Sequence, residues 1–187
     1  VIDARPGDER VPFALLARLL RAVTQRFTPI LEDWAKAELS RLLPELGAAP
    51  ESKLQPLRLQ RAVSQALLMA SKAGLTACAI DDLHFADDAS VESLLALTAE
   101  ERHVRWLVGA RTAEMPRRLL EWLERTESNE VARIELAPLD VSAIETLLVS
   151  LALPDFDAHA WAEPLARHTG GNPLFILETL SAVLAQD

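Results

Sequence analysis

The sequence predicts an α/β protein: a partial parallel sheet flanked by helices, followed by a small all-helical subdomain. Three observations carry this expectation. Short apolar runs at 75–80 (LTACAI), 104–110 (VRWLVGA) and 131–136 (VARIEL) read as buried strands. Segments of helical period lie between them, the alternation expected of a parallel sheet built from βαβ units. After "LAPLD" the strand pattern stops, and three short helical segments complete the chain.

Taken in order, residues 1–4 are a further candidate strand. Leu15, Leu16, Leu19, Leu20, Val23 and Phe27 recur at helical spacing, so 13–27 reads as an amphipathic helix following Pro12. A second helix is predicted over about 30–43, with Leu31, Trp34, Ala35, Leu39 and Leu42 on one side. "PELGAAPESK" (44–53) holds two prolines and a glycine and is a loop. Pro56 opens a third helix whose stripe is Leu59, Val63, Ala66, Leu67 and Ala70, and Gly74 ends it. Between the strands, helices are expected at 88–101 (Val91, Leu94, Leu95, Thr98) and 116–125 (Leu119, Leu120, Leu123). The last three, 141–151, 158–168 and 173–185, have Asp140, Asp157 and Asn172 as N-caps, and Pro164 is expected to kink the middle one. This divides the chain into a core over 1–139 and a helical lid over 140–187.

Bulk properties exclude several functions. A chain of 187 residues supports one sizeable domain, or a core with a small satellite. The formal net charge of -9 argues against a surface that grips nucleic-acid phosphates. The single cysteine, Cys78, excludes an intrachain disulfide and suits a reducing compartment, so a cytoplasmic location is expected. No apolar stretch approaches the roughly 18 residues of a membrane span, and no signal-peptide pattern opens the chain. The opening "VIDARPGDERVPF" has no initiator Met and reads as a piece of something longer.

The chemistry concentrates in "LTACAIDDLHFADDAS" (75–90). A strand that ends in Asp81 and Asp82 places them at the carboxyl edge of a sheet, where open α/β sheets bind ligands. One such acid can hold Mg²⁺ while its neighbour orients a water near a nucleotide phosphate. Asp87 and Asp88 are better explained as caps of the following helix. Arg111, after the next strand, should project from the same edge as Asp81, where its guanidinium either contacts a phosphate or makes an ordinary ion pair. "HTGGNPLF" (168–175) reads first as a tight helix-to-helix corner, and second as a corner that leans on a nucleotide. A rival chemistry starts from Asp82-Leu-His84, whose spacing occurs in two-metal phosphoesterases. With four histidines in the chain, and His103 and His159 in polar contexts without partners, that reading ranks last.

Together, "AIDDLHFADDAS", "VGAR", "IELAPLD" and "HTGGNPLFILETL" resemble, in order and spacing, the AAA-type ATPase module of STAND-class signalling proteins. The group most like this chain is the large LuxR-type bacterial transcriptional regulators. The resemblance covers essentially the whole chain, including "ARPGDERVPFALLARLL" and "LLPEL", and implies a P-loop NTPase-like core with a helical lid. It implies that Asp81 acts on Mg²⁺ and that Asp82 occupies the water-activating position. It also implies that Arg111 ends the sensor strand, and that Gly171, Asn172 and Pro173 form the lid corner near adenine. ATP/ADP and Mg²⁺ are the cofactors implied for the intact protein, and its output is a switch between closed and oligomerising forms. Partners are then other copies or another domain of the same chain, with direct nucleic-acid binding left to a distant segment.

Three departures matter. Gly109-Ala110 replaces a polar sensor residue that often precedes the arginine, and Phe85 stands where tryptophan is common. No GxxxxGK[ST] loop occurs anywhere in the sequence, so this segment alone is expected to carry no nucleotide and no ATPase activity. In the family's sheet the strand leading to that loop lies between those at 104–110 and 131–136. Each buried backbone group its loss leaves unsatisfied costs about 1–3 kcal/mol. Either the two strands close up, or another copy or chain outside these residues fills the gap. The alternatives are a non-catalytic interaction module derived from an ATPase and, behind it, a metal-dependent phosphoesterase.

Overall fold

The structure is a computed structural model that describes residues 1–100, 103–125, 131–154 and 156–185. It is α/β, with a three-stranded parallel sheet and two compact units, Val1–Val131 and Ala132–Asp187.

In the first unit, β1 (Ile2–Asp3) is followed by α1 (Ala14–Phe27), α2 (Asp33–Leu39) and α3 (Pro56–Lys72). Then come β2 (Ala77–Asp81), α4 (Asp88–Glu100), β3 (Arg105–Val108) and α5 (Arg117–Arg125). The predicted stripes of α1 and α3 are the buried ones: Leu15, Leu16, Leu19, Leu20 and Val23 join Leu59, Val63, Ala66, Leu67 and Ala70 in one core. In α4 that core takes Val91, Leu94 and also Leu97, which the predicted stripe omitted. Leu119 of α5 joins it too, whereas Glu101 and the side chain of Leu123 lie outside the described residues. Helix α2 is shorter than predicted. Pro44 disfavours helical geometry in the residue before it, and Leu43 accordingly has φ -126° and ψ 81°.

Two buried or half-buried charge clusters fasten these helices. The Glu38 side chain, 3 % exposed, accepts from Arg41 at 2.8 Å and forms an ion pair with Arg58 at 2.9 Å, tying α2 to α3. The Arg18 guanidinium grips both oxygens of Asp8, at 2.7 and 3.0 Å, and holds that carboxyl below the usual aspartate range.

The strand order is β1-β2-β3, all parallel, with Asp3 opposite Asp81 and Ala79 opposite Leu107. One face carries Cys78 and Ile80 into the core with Trp106 packed beside them. Burial pushes the Cys78 thiol up to about 11. On the other face Ala77 and Arg105 are exposed and Leu107 is 66 % exposed, so this face is uncovered among the described residues. Parallel sheets are normally covered on both faces.

The predicted strand at 131–136 does not form. The segment is irregular, with Ile134 77 % and Leu136 90 % exposed. Its alternating pattern suits a strand, but a strand exists only through hydrogen bonds to a neighbour, and the sheet ends at β3. Closing-up of 104–110 against 131–136, one of the outcomes expected for the gap, does not occur among the described residues.

The second unit packs α6 (Val141–Ser150), α7 (Ala158–Thr169) and α8 (Pro173–Leu184) around Ile144, Leu148, Ala162, Leu165, Ile176 and Leu180. All three predicted N-caps are made. Asp140 accepts from Ala143 N–H at 2.7 Å, Asp157 from Ala160 at 3.0 Å and Asn172 from Leu174 at 3.0 Å. Helix α7 runs on through Pro164 to Thr169. No helix among the described residues is long and apolar enough to cross a membrane.

Candidate functional site

The acids of "AIDD" stand at the carboxyl end of β2, the central strand. Ile80 points into the core, so alternation turns Asp81 to the uncovered face, where it is exposed. Asp82 then leaves the strand in left-handed geometry, φ 52° and ψ 34°, which aspartate tolerates better than most residues. Its N–H donates to Asp81 Oδ1 at 2.9 Å. The two carboxylates are thus set apart by backbone geometry rather than by sequence distance.

The neighbouring strands brace this corner. Ala4 N–H donates to Asp81 O at 2.9 Å, Gly109 N–H to Ile80 O at 2.8 Å and Leu83 N–H to Gly109 O at 2.9 Å. A Cβ at Gly109 would lie 2.5 Å from Asp81 Oδ1. Gly109, where a polar sensor side chain was expected, thus leaves room for the Asp81 carboxylate in its present rotamer, which a side chain at 109 would displace. Asp3, in register with Asp81, adds a third acid to the same sheet edge. Sequence reading missed it because only the parallel pairing brings residue 3 beside residue 81.

Arg111 does emerge from this edge, three residues beyond β3. Of its two expected roles the structure shows the ordinary ion pair: its guanidinium donates to Glu114 at 3.2 Å. Its backbone N–H donates to His84 Nδ1 at 3.4 Å. His84 has a side chain only 1 % exposed, and its Nε2 lies 3.9 Å from Asp82 Oδ1 and 3.8 Å from Glu114 Oε2. Glu114 and the bridging position of His84 were not anticipated, because both depend on the turn at Thr112–Glu114 folding back toward β2.

Asp87 is not part of this exposed site. It is 2 % exposed and accepts from Ser90 N–H at 2.8 Å, capping α4 as predicted. It also accepts from Phe13 N–H at 2.6 Å, at the start of α1.

Gly171, Asn172 and Pro173 belong to the second unit and make the tight corner between α7 and α8. Gly170 closes α7 at φ 61°, Asn172 caps α8, and Pro173 occupies its first turn. The Gly171 carbonyl accepts from Leu139 N–H at 2.9 Å, and a Cβ on Gly171 would collide with Leu139 O. "IELAPLD" and "GGNP" are therefore two sides of one contact.

Among the described residues no group of three or more His, Cys, Asp or Glu side chains converges as a metal site. A two-metal phosphoesterase needs such a set, and His84 is instead occupied at Nδ1 by a backbone donor. A concavity of about 520 Å³ opens at the other end of the sheet, lined by Thr76, Ala77, His103 and Arg105. It holds no carboxylate, so the acidic edge remains the better candidate for a cation-dependent site. No protein-family model, no curated protein and no solved structure matches this chain.

Proposed function

We propose that this chain is part of an ATP-dependent signalling switch of the STAND class, from a bacterial transcriptional regulator, in which nucleotide state controls oligomerisation. The observation that carries the reading is the placement of Asp81 and Asp82 at the carboxyl end of the central strand of a parallel sheet. One lies on the open face and the other is turned away from it by its left-handed backbone. Two neighbouring acids with different directions suit two different tasks, one toward a cation and one toward a water.

The residues present fit Mg²⁺ in part. Asp81 is an exposed carboxylate, kept clear by Gly109, and Mg²⁺ commonly takes one or two protein carboxylates with the rest of its shell from water and phosphate. They do not fit ATP by themselves. Nothing in the 187 residues supplies the lysine and backbone cradle of a GxxxxGK[ST] loop. In this reading the chain provides the acidic half of a site, and a phosphate-binding loop carried elsewhere in the protein provides the other. Arg111, held in reserve by Glu114, is the cation available to a phosphate at the edge, and the Gly171-Asn172-Pro173 corner is the lid contribution.

A longer protein that includes these residues and such a loop tests this. Asp82→Asn keeps the tolerance for left-handed backbone and removes the charge. Its ATP turnover should fall by about 100-fold or more while nucleotide affinity stays within a few-fold. Unchanged turnover removes Asp82 from the water-activating role.

A second reading has its own observation. Leu107 and Val108 on β3 are 66 % and 44 % exposed, as an interaction module binding protein through its sheet would require. Loss of partner binding in Leu107→Asp, with ATP turnover absent in every form of the protein, would favour it.

A further inference from the structure

His84 carries one of several buried polar atoms without a hydrogen-bond partner among the described residues, and the one that lies beside Asp82. Its ring lies against Phe85, with centroids 4.1 Å apart, and its side chain is 1 % exposed. Nδ1 accepts the Arg111 N–H, which places the ring proton of neutral His84 on Nε2. That Nε2 is fully buried and has no hydrogen-bond partner. A buried donor left unmade costs about 1–3 kcal/mol, so it is not a neutral feature of the fold.

The missing acceptor is close by. Asp82 Oδ1 lies 3.9 Å away, and no hydrogen bond to the Asp82 carboxylate is found among the described residues. Glu114 Oε2 is at 3.8 Å, but the Glu114 carboxylate is shared with Arg111, which donates to its other oxygen, Oε1, at 3.2 Å. One donor without an acceptor therefore faces two carboxylates, of which Asp82 is the one that accepts no other hydrogen bond among the described residues, across a gap that a shift of about 1 Å closes. The anchor of the ring is on the β3 exit and its free nitrogen faces the β2 exit. The imidazole thus joins the loop of Arg111 to the loop of Asp82.

We infer that His84 is a positioning residue: its Nε2–H donates to the Asp82 carboxylate and fixes its direction, while Arg111 N–H holds the other side of the ring. Asp82 is then oriented only when the Arg111 loop is in place, so the two strand exits act as one unit. The inference rests on the proposed role of Asp82 for its catalytic consequence, although the hydrogen bond itself does not.

Two measurements separate those parts. In this chain, long-range ¹H–¹⁵N spectra of His84 near neutral pH should show the Nε2–H tautomer. Asp82→Gly, which keeps the left-handed backbone and deletes the carboxylate, should move the His84 Nε2 resonance more than Glu114→Gln does. An Nδ1–H tautomer, or a larger effect from Glu114→Gln, overturns the inference. In the longer protein, His84→Asn keeps only an acceptor near the Nδ1 position, and His84→Gln restores an N–H donor near Nε2. The Asn variant should lose about 10-fold or more in kcat with KM for ATP within about twofold, and the Gln variant should recover most of it. Equal losses in the two variants overturn the positioning role. If Asp82→Asn leaves turnover unchanged while the spectra come out as expected, the hydrogen bond stands and the nucleotide reading fails.

Discussion

Asp87 is 2 % exposed, and its carboxylate accepts from Phe13 and Ser90 N–H groups, with Leu15 N–H at 3.5 Å. Ser90 Oγ completes the arrangement by accepting from Leu16 N–H at 2.9 Å. The starts of α1 and α4, some 74 residues apart in sequence, are thereby both capped from the start of α4. The local half of this was legible, because an aspartate before an apolar run is an N-cap pattern. The distant half was not, since nothing in "RVPFALL" says which acid will reach its free N–H groups. Removing the carboxylate strips caps from two helices and leaves buried donors unpaired. Asp87→Ala should therefore cost about 2–4 kcal/mol in urea unfolding, and Asp88→Ala, whose residue is exposed, less than about 1. Equal costs would remove Asp87 from this role. His84 and Glu114 were illegible for a similar reason: their meeting is made by a turn after β3.

Elements with their own start and stop chemistry were readable, and elements that need a partner were not. Helix α3 runs from Pro56 to Lys72 with Gly74 beyond it at φ 105°, and the three helices of the second unit begin at the predicted caps. The segment 131–136 has the composition of a strand and is irregular, because pairing is a property of two segments and it has no paired neighbour among the described residues. The "GGNP" corner separates two kinds of glycine. Gly170 at φ 61° has open space where a Cβ would go, whereas Gly171 at φ 77° presses on Leu139 O. Gly170→Ala should cost the helical unit about 1 kcal/mol, for the left-handed backbone alone. Gly171→Ala should cost clearly more, about 2 kcal/mol or above, because the Leu139 contact must also open. Thermal unfolding of the two variants distinguishes them, and similar costs would mean that Leu139 yields freely.

At the scale of the molecule, two features point the same way. The sheet exposes a face that parallel sheets normally cover, with Leu107 66 % exposed on it. Asp3, Asp81 and Asp82 share its carboxyl edge by backbone position without converging as a metal site, while the neighbouring Arg111 is engaged with Glu114. An exposed carboxylate at such an edge is the kind of group that takes Mg²⁺, which a nucleotide site would bring with its phosphates. The α/β class was legible from alternating periods, and Asp81 and Asp82 from their place after an apolar strand. The uncovered face was not, because coverage is decided by which helices the chain contains and where they pack. The central claim is that this chain holds the acidic half of a nucleotide site and lacks the phosphate-binding half. It is tested most directly by calorimetric titration of Mg·ATP into the 187-residue chain, and into the longer protein carrying a GxxxxGK[ST] loop. The account predicts no measurable binding to the first and saturable binding to the second, and saturable binding to the 187-residue chain alone would contradict it.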